Sequence, residues 1–534
     1  MALPSQSLPA PSRAAPAFVE SLDAATQEVI GRFDATPIEE IQHIFETARS
    51  AQSEWQARSV RKRCESLLCL RDSMFSRRAE IAEVICRETG KPRVEALFAE
   101  IMLALDLVEF YARRAPAWLA PERVPHHNLA LKAKRGFLLH EPWGVVLIIS
   151  PWNYPFSIPL SGIAPALAAG NAVVLKPSEL TPGCGEIIGD LLAHADIPAG
   201  LVQIAQGGGE VGAALVEHGP DKVIFTGSVA TGRRIAESCA SQLIPSVLEL
   251  GGKDAMLILS DADLEITSSA AVWGGFTNCG QACLSVERVY VERSITERFI
   301  ALVVDKTRKL RLGPSSDADA EIGPLIRPRQ LEKVEQQLRE AVARGATILT
   351  GGHLRRDLGP CFFEPTVVTN VNHSMALMQE ETFGPVLAIQ PFDSADEAVA
   401  LANDSPFGLS ASVWTGDTKK GVSIAARLRS GSVMVNDVAS YYGICEAPHG
   451  GRRASGWGRA HSKLGLLEMA QVKYVDADRL PRLPKSWWYG YNQQLADAAD
   501  RFLAFLFEPR PLRRFRSIAR RRGALRTVFR GHRI

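Results

Sequence analysis

The stretch GVVLIISPWNYPFSIPLSGIAPALAAGNAVVLKPSE, residues 144–179, holds two apolar runs separated by a segment rich in small residues. Short apolar runs bounded by Gly, Pro and Ser are typical of buried strands, whereas IAPALAAG between them has the composition of a helix ending at Gly170. The alternation continues to residue 250 through LVQIAQ, EVGAALVEH and KVIFTG. Strands that alternate with helices predict a parallel sheet covered on both faces, and hence an α/β fold.

Polar residues follow two of these strands, at the sheet edge where α/β folds bind their ligands. The proline-rich loop PWNYPFSIP (151–159) carries Asn153. Its amide either donates to a developing oxyanion or satisfies backbone groups of the loop. Lys176 and Glu179 follow the next strand, where they are well placed to bind sugar hydroxyls.

Two glycine-rich turns are candidates for phosphate binding. GGGEVG (207–212) fits the GxGxxG pattern, but no acidic residue follows at the expected distance, so a position near the adenine edge of a cofactor is an equal alternative. In FTGSVATG (225–232), Gly227 and Ser228 lie at a strand-to-helix turn. This turn is either an anion site at a helix start or a capped turn without a ligand.

A second region of alternating strands and helices runs from 252 to about 446 and predicts a second α/β lobe. Two further motifs carry acidic residues at turns: VLELGGKD contains Glu249, and EETFGPV contains Glu381 and Phe383. Taken singly, each of these motifs is compatible with a purely structural role.

Two cysteines, Cys279 and Cys283, lie four residues apart in FTNCGQACLSVERV (276–289). Three ordinary interpretations are small buried residues, a disulfide, or part of a metal site. The chain has nine cysteines and no CxxC, so we expect neither a disulfide framework nor a metal centre. Two interpretations remain: a small buried residue and a thiolate nucleophile.

The motifs LELGG and GQAC, in this order and about thirty residues apart, resemble the aldehyde dehydrogenase superfamily, as does the chain from about residue 30 to about residue 475. The resemblance implies oxidation of an aldehyde to a carboxylic acid. Cys283, which closes GQxC, would add to the aldehyde carbon. Asn153 would hold the oxyanion with the Cys283 N–H, and Glu249 would activate the water that releases the acid. Cys279 has no role in the shared mechanism.

The resemblance also implies a nicotinamide cofactor. The matching positions are Trp152, Gly227 and Ser228 near the pyrophosphate, Lys176 and Glu179 at the adenine-side ribose, and Glu381 and Phe383 at the nicotinamide ribose and ring. A carboxylate near the ribose 2′ position repels a 2′-phosphate, so Glu179 favours NAD, while Lys176 is compatible with NADP.

The family's architecture implies a Rossmann-type cofactor domain, an α/β catalytic domain and a small β oligomerisation element, in a homodimer or homotetramer. The predicted division is a flexible N-terminal arm at 1–25, an NAD-binding domain at 26–125 and 144–250, a catalytic domain at 251–446, an oligomerisation element at 126–143 and 468–476, and a C-terminal tail at 479–534. The change from alternating to continuous apolar residues over 129–150 predicts a hairpin that leads into a buried strand.

Composition favours a cytoplasmic enzyme. The chain of 534 residues is 46% hydrophobic, and its net charge is only +2. Residues 510–534 contain ten arginines and no acid, so the rest of the chain, with 51 basic and 59 acidic side chains, carries −8. An acidic body without a recognition motif argues against nucleic-acid binding. The N-terminus lacks the apolar core of a secretory signal, and no apolar run is long enough to span a bilayer.

The tail has two interpretations. SWWYGYNQQLADAADRFLAFLF (486–507) places apolar residues on one helical stripe, and the arginine-rich segment follows it. The stripe consists of Trp488, Tyr491, Leu495, Ala498, Phe502 and Phe505. An aromatic amphipathic helix beside a polybasic segment suits an anionic membrane surface. Alternatively, the helix packs on the protein and the arginines are solvated.

One departure from the family is PHGG, in which His449 replaces the usual phenylalanine; it would give the substrate channel a polar edge or serve a structural role. The preceding segment is similar in length to the branch that acts on fatty and aromatic aldehydes, which predicts an apolar substrate. Two alternatives remain: transfer of the acyl group to coenzyme A, and a non-catalytic scaffold or lipid-surface binding protein. Glu249 argues against the first, and the complete set of Asn153, Glu249 and Cys283 argues against the second.

Overall fold

The computed structural model describes residues 17–128, 131–482, 485 and 487–509. The chain divides into two compact units. The first consists of Met1–Ala120 and His140–Gln471, and the second of Pro121–Leu139 and Val472–Ile534. The predicted catalytic domain, and the predicted cofactor domain apart from 121–125, therefore lie in the first unit.

In the described residues the strands are β1 Phe18–Leu22, β2 Val29–Asp34, β3 Glu122–Val124, β4 Lys134–Pro142, β5 Val145–Ile149, β6 Ala172–Lys176, β7 Val202–Ile204, β8 Lys222–Gly227, β9 Ser246–Leu250, β10 Asp254–Ile258, β11 Val286–Glu292, β12 Thr347–Thr350, β13 Thr366–Thr369, β14 Val386–Phe392, β15 Ser410–Trp414, β16 Ser432–Val435, β17 Gly456–Trp457 and β18 Ala470–Asp478.

The helices in the same residues are α1 Ile41–Ala57, α2 Val60–Ser76, α3 Arg78–Thr89, α4 Arg93–Glu95, α5 Leu103–Trp118, α6 Ser157–Ala169, α7 Pro182–Ala193, α8 Gly209–Glu217, α9 Val229–Ser241, α10 Leu264–Phe276, α11 Thr296–Lys309, α12 Pro328–Ala343, α13 Ala376–Gln379, α14 Ala395–Asn403, α15 Thr418–Ala425, α16 Ser462–Glu468 and α17 Gln493–Phe507. A π-helix, Ala96–Met102, joins α4 to α5.

The predicted parallel sheet is present, with the strand order β17-β9-β8-β5-β6-β7. Its strands run parallel except β17, which comes from late in the chain and pairs antiparallel with β9. All five residues of β5 and of β6 are buried, because helices cover both faces. Gly170 ends α6 in the left-handed conformation, as the sequence predicts.

The second α/β lobe is a seven-stranded sheet with the order β12-β13-β14-β11-β10-β15-β16. It is parallel apart from β12, which pairs antiparallel with β13. Each lobe has its own apolar core. The short connection from β9 to β10, residues 251–253, joins the two sheets close to Glu249.

Two local predictions are wrong. The arm predicted at 1–25 contains β1, which pairs antiparallel with β2; the alternating burial of FVESL, with Val19 and Ser21 inside, explains why it is a strand. The hairpin predicted over 129–150 has its first strand earlier in the chain, at β3, whereas the buried strand predicted to follow it is present as β5. β4 pairs antiparallel with the earlier strand β3, while β5 joins the parallel sheet, because the chain turns at Gly144, where φ is 133°.

The second unit contains β3, most of β4 and β18, and α17. β18 and β4 are neighbours in one sheet. This agrees with the prediction that 126–143 and 468–476 form one β element. Its role in oligomerisation stays a prediction. The predicted tail helix starts later than expected, since Asn492 caps α17 through a hydrogen bond from the Leu495 N–H. Trp488 and Tyr491 therefore precede the helix, and residues 510–534 lie outside the described residues.

Candidate active site

A left-handed turn that includes Cys279 precedes Cys283. Asn278, Cys279 and Gly280 have φ values of 50°, 55° and 70°. A Cβ on Gly280 would lie 2.2 Å from the Gly384 carbonyl oxygen, so the turn requires glycine there. Cys279 is 1% exposed and belongs to the core of the second lobe. Cys283 is half-buried and lines two cavities.

The larger cavity has a volume of ≈ 720 Å³ and leads to Cys283 and Glu249. Its wall is mostly apolar. Among the described residues that line it are two carboxylates besides Glu249, those of Asp106 and Glu109, and no lysine or arginine. Apolar and aromatic lining residues include Phe98, Met102, Leu103, Tyr154, Trp273 and Tyr442. Such a cavity suits an uncharged apolar molecule.

The smaller cavity, ≈ 230 Å³, collects most of the residues predicted to bind the cofactor. Its wall includes Trp152, Asn153, Gly227, Ser228, Glu249, Cys283, Glu381 and Phe383. The rings of Trp152 and Phe383 meet edge to face at 5.5 Å. Both cavities are therefore lined by the predicted nucleophile and the predicted base.

Lys176 and Glu179 do not line either of these cavities. Lys176 is buried at the end of β6, where its Nζ donates to the Pro177 carbonyl and lies 3.7 Å from the Glu179 carboxylate. Burial lowers the pKa of Lys176, and the charges of Glu179 and Glu210 oppose this effect. Lys176, which the sequence predicts to bind the adenine-side ribose, therefore has a second carboxylate nearby, that of Glu210, which was not predicted.

A buried ion pair fixes the loop that carries Asn153. The Lys91 Nζ donates to the Asn153 carbonyl at 2.8 Å and to Glu100 at 2.6 Å, and the side chains of both charged residues are 0% exposed. Glu100 also accepts hydrogen bonds from two backbone amides at the start of α6. The Asn153 side-chain amide donates to the Gln281 carbonyl at 2.9 Å, beside the segment that leads to Cys283.

Glu249 lies at the end of β9 with its side chain 6% exposed. Its carboxylate oxygens accept no hydrogen bond from the described residues, and burial raises its pKa well above the usual range. Burial likewise raises the pKa of Cys283, and the charges of Asp254, Glu381 and Glu249 add to the effect. A thiol of this kind stays protonated near neutral pH until a base accepts its proton.

Comparison with known proteins identifies the family. Residues 12–475 match the sequence profile of the aldehyde dehydrogenase family. The chain belongs to this family. The fold agrees, because a betaine aldehyde dehydrogenase from Staphylococcus aureus in complex with NAD+ superposes with a TM-score of 0.83. The two sequences are 34% identical, and the match covers 88% of this chain and 93% of that chain.

Among curated relatives, the 4,4'-diapolycopene aldehyde oxidase of Methylomonas is 39% identical over 92% of this chain and 91% of its own length. A protein of Mycolicibacterium smegmatis that bears the name of an NADP+-dependent succinate-semialdehyde dehydrogenase is 40% identical, over 87% of this chain and 91% of its own length. The prediction of an aldehyde dehydrogenase is therefore confirmed at the level of the family and of the fold.

Several residues of the site were not predicted from the sequence. Arg327, Gln330 and Lys333 line the smaller cavity from the start of α12. The Gln330 amide donates to the carbonyls of Thr382 and Phe383 and so holds the turn that carries Glu381. A proline at the first position of α12 marks a helix start, but no local signal places that start beside the site.

Proposed function

We propose that this enzyme oxidises uncharged, apolar aldehydes to carboxylic acids with NAD(P). The observation that carries the proposal is that Cys283 and Glu249 line both the apolar cavity and the cavity of the predicted cofactor residues. A substrate carbonyl at this junction would be within reach of a nucleophile, a base and a redox cofactor.

Cys283 is the nucleophile in this proposal. The thiol proton passes through Glu249 to the solvent, and the thiolate sulfur then bonds to the aldehyde carbon to give a thiohemiacetal, whose oxygen carries the negative charge. The Asn153 side-chain amide and the Cys283 backbone N–H are the donors for this oxyanion. Loss of one such donor typically lowers the rate about 10² to about 10³-fold. Support comes from the fixed Asn153 loop, whose amide donates to the Gln281 carbonyl two residues before Cys283.

Glu249 is the general base that completes the reaction. After oxidation, the acyl group is held on Cys283 as a thioester. Water attacks the acyl carbon, its proton passes to Glu249, and the thiolate leaves. Because this carboxylate is present on the wall of both cavities, hydrolysis is favoured over transfer to coenzyme A.

The residues around the smaller cavity fit a nicotinamide cofactor. Ser228 caps α9, whose first N–H groups are suited to a pyrophosphate, and its hydroxyl already accepts from the Thr231 N–H. Trp152, Gly227, Glu381 and Phe383 would complete the site. The nicotinamide ring, when bound, supplies the hydride acceptor. Lys176 and Glu179 would bind the adenine-side ribose, and the two carboxylates near Lys176 favour NAD over NADP.

The substrate class follows from the wall of the larger cavity. Its apolar lining stabilises a hydrocarbon chain by about 0.8 kcal/mol for each buried methylene. Asp106 would repel a second carboxylate, whereas the charge of Glu109 is compensated by ion pairs with Arg71 and Arg113. No cation among the described lining residues would bind a second carboxylate. We therefore expect poor activity with succinate semialdehyde, although some relatives carry names that refer to this substrate.

Initial rates of NADH formation test the proposal. The series runs from acetaldehyde to hexadecanal, with benzaldehyde and succinate semialdehyde added, and mass spectrometry identifies the acid. We expect kcat/KM to rise about threefold or more per methylene until the cavity is filled. Cys283→Ala is the matched control and should form no NADH. A higher kcat/KM for succinate semialdehyde than for hexanal would contradict the substrate class.

A further inference from the structure

The residue that departs from the family pattern in PHGG lies against the general base. His449 Nε2 is 3.5 Å from a carboxylate oxygen of Glu249, and the two side chains are 5% and 6% exposed. His449 also forms a pair of backbone hydrogen bonds with Ala460, at 2.9 and 2.8 Å, which fix the position of its main chain. The phenylalanine usual in the family has no group that could bind a carboxylate.

Aromatic neighbours hold the imidazole ring in place. The Tyr441 hydroxyl is 3.0 Å from His449 Nδ1, and the Tyr442 ring meets the imidazole edge to face at 4.7 Å. His461 lies beyond, with its ring centre 6.0 Å away. One nitrogen therefore has a partner, while the other is turned towards Glu249.

The partners of the two ring nitrogens bear on which tautomer His449 adopts. Burial, with the nearby His461 and Arg459, lowers the pKa of His449 to about 3, so the ring is neutral near pH 7. Burial raises the pKa of Tyr441 well above its usual range, so its hydroxyl keeps its proton. If Tyr441 donates to Nδ1, the ring proton lies on Nε2. Glu249 acts as a base only when it is ionised, and in that form the opposite tautomer would turn a lone pair towards its carboxylate. Burial raises the pKa of Glu249, so this ionised form is reached as the pH rises.

We propose that His449 is a positioning residue for Glu249: its Nε2–H donates to the ionised carboxylate and holds it ready to accept the proton of the hydrolytic water, and Tyr441 fixes the tautomer. This inference rests on the proposed function. At 3.5 Å the two atoms lie beyond the usual length of a hydrogen bond, so the proposed bond requires the two side chains to move slightly closer. A hydrogen bond to a charged group is among the stronger ones in proteins.

Other charged groups act on the same pair. The charge of Arg459 lowers the pKa of Glu249 and that of Glu468 raises it. The charge of Glu249 in turn raises the pKa of Cys283. Arg459 and His461 act on His449. A substitution of His449 leaves Arg459, Glu468 and Cys283 in place. A change in the pH dependence of hydrolysis can therefore be attributed to the lost contact with Glu249.

The test compares His449→Phe, His449→Gln and Tyr441→Phe with the wild type by stopped-flow measurement of NADH, with decanal and NAD. Without the donor, the carboxylate loses the bond that favours its charged form, so its pKa rises. We expect His449→Phe to keep the rapid first turnover, lower kcat about tenfold, and shift the rising limb of kcat about one unit to higher pH. His449→Gln, whose amide reaches the position of Nε2, should restore much of kcat; Tyr441→Phe should show a partial loss.

If His449→Phe does not fold, His449→Gln and His449→Asn form the deciding pair. The shorter asparagine amide reaches the position of Nδ1, so only glutamine should retain kcat. A wild-type kcat and pH profile in His449→Phe, or equal rates in the glutamine and asparagine variants, would overturn the inference. Failure of the proposed function gives a different result: the wild type would form no NADH, or Cys283→Ala would stay active.

Discussion

At the scale of single residues, the site combines groups that motifs reveal with groups that they do not. Cys283, Glu249 and Asn153 were predicted because each lies in a short motif. Asn153 follows β5, Glu249 lies near the end of β9, and Cys283 lies between α10 and β11. The contact between His449 and Glu249 was not predicted. It depends on the backbone bridge between His449 and Ala460, and on the pairing of β17 with β9, which join segments that are distant along the chain.

We expect the residues around Lys176 to determine the choice between NAD and NADP. Glu179→Gln removes a negative charge near the expected ribose 2′ position and leaves the lysine free to bind a 2′-phosphate. We expect the ratio of kcat/KM for NAD to that for NADP to fall several-fold from a wild-type ratio above one. Initial rates at matched cofactor concentrations measure it.

Glu210, the second carboxylate that acts on Lys176, provides a further test of this prediction. Because Glu210 also acts on Lys176, Glu210→Gln should lower the ratio in the same direction, and the double variant should lower it further. A wild-type preference for NADP would contradict the assignment of Glu179.

At the scale of the elements, the buried ion pair between Lys91, which follows α3, and Glu100 of the π-helix supports the loop that carries Asn153. Lys91→Met leaves Glu100 without its cation and the Asn153 carbonyl without a donor. Breaking a buried pair by removing one partner costs about 3 to about 5 kcal/mol. We expect a loss of this size in the free energy of unfolding, measured with urea, together with a lower kcat.

An exposed ion pair on α2 is the matched control. Lys62 and Glu65 on α2 form a pair at 2.8 Å whose side chains are 70% and 51% exposed. Lys62→Met should therefore change the free energy of unfolding much less than Lys91→Met does. Equal effects of the two substitutions would show that Lys91 is not a special support of the loop.

Sequence periodicity predicted the two parallel lobes because fully buried strands are continuous apolar runs bounded by turns. It failed where long-range pairing decides the structure. β3 has three residues and no apolar pattern, so its pairing with β4 has no local signal. The left-handed turn at Asn278 and Cys279 was also missed, since neither residue type requires a positive φ.

At the scale of the whole molecule, β18 supports the predicted homodimer or homotetramer. It lies at the edge of its sheet, and Val472, Tyr474 and Val475 are 60%, 51% and 38% exposed. Exposed apolar edge strands pair readily with another chain. We expect Val472→Glu with Tyr474→Glu to lower the mass found by sedimentation velocity, whereas Lys473→Glu alone should have a smaller effect. A monomeric wild type would contradict the prediction.

The tail offers a second surface. The predicted apolar stripe of α17 is partly covered, since Ala498 is buried. The aromatic side chains that precede the helix are exposed, with exposed fractions of 47% for Trp487, 52% for Trp488, 84% for Tyr489 and 66% for Tyr491. We predict that this aromatic segment and the arginines beyond it bind anionic membranes. The full chain should sediment with phosphatidylglycerol vesicles more than with phosphatidylcholine vesicles. A chain ending at residue 478 should not, and equal recovery of the two chains would refute the prediction. None of the described helices is long and apolar enough to cross a membrane.

The central claim is that catalysis proceeds through an acyl group on Cys283 that Glu249 helps to release. In Glu249→Gln the hydrolytic water loses its base, which slows that step about 10² to about 10⁴-fold. Incubation with decanal and NAD, followed by intact-protein and peptide mass spectrometry, measures the trapped species most directly. We predict one decanoyl group per chain on Cys283, retained when Cys279→Ser is added and absent when Cys283→Ala is added. No adduct, or an adduct on Cys279, would contradict the claim.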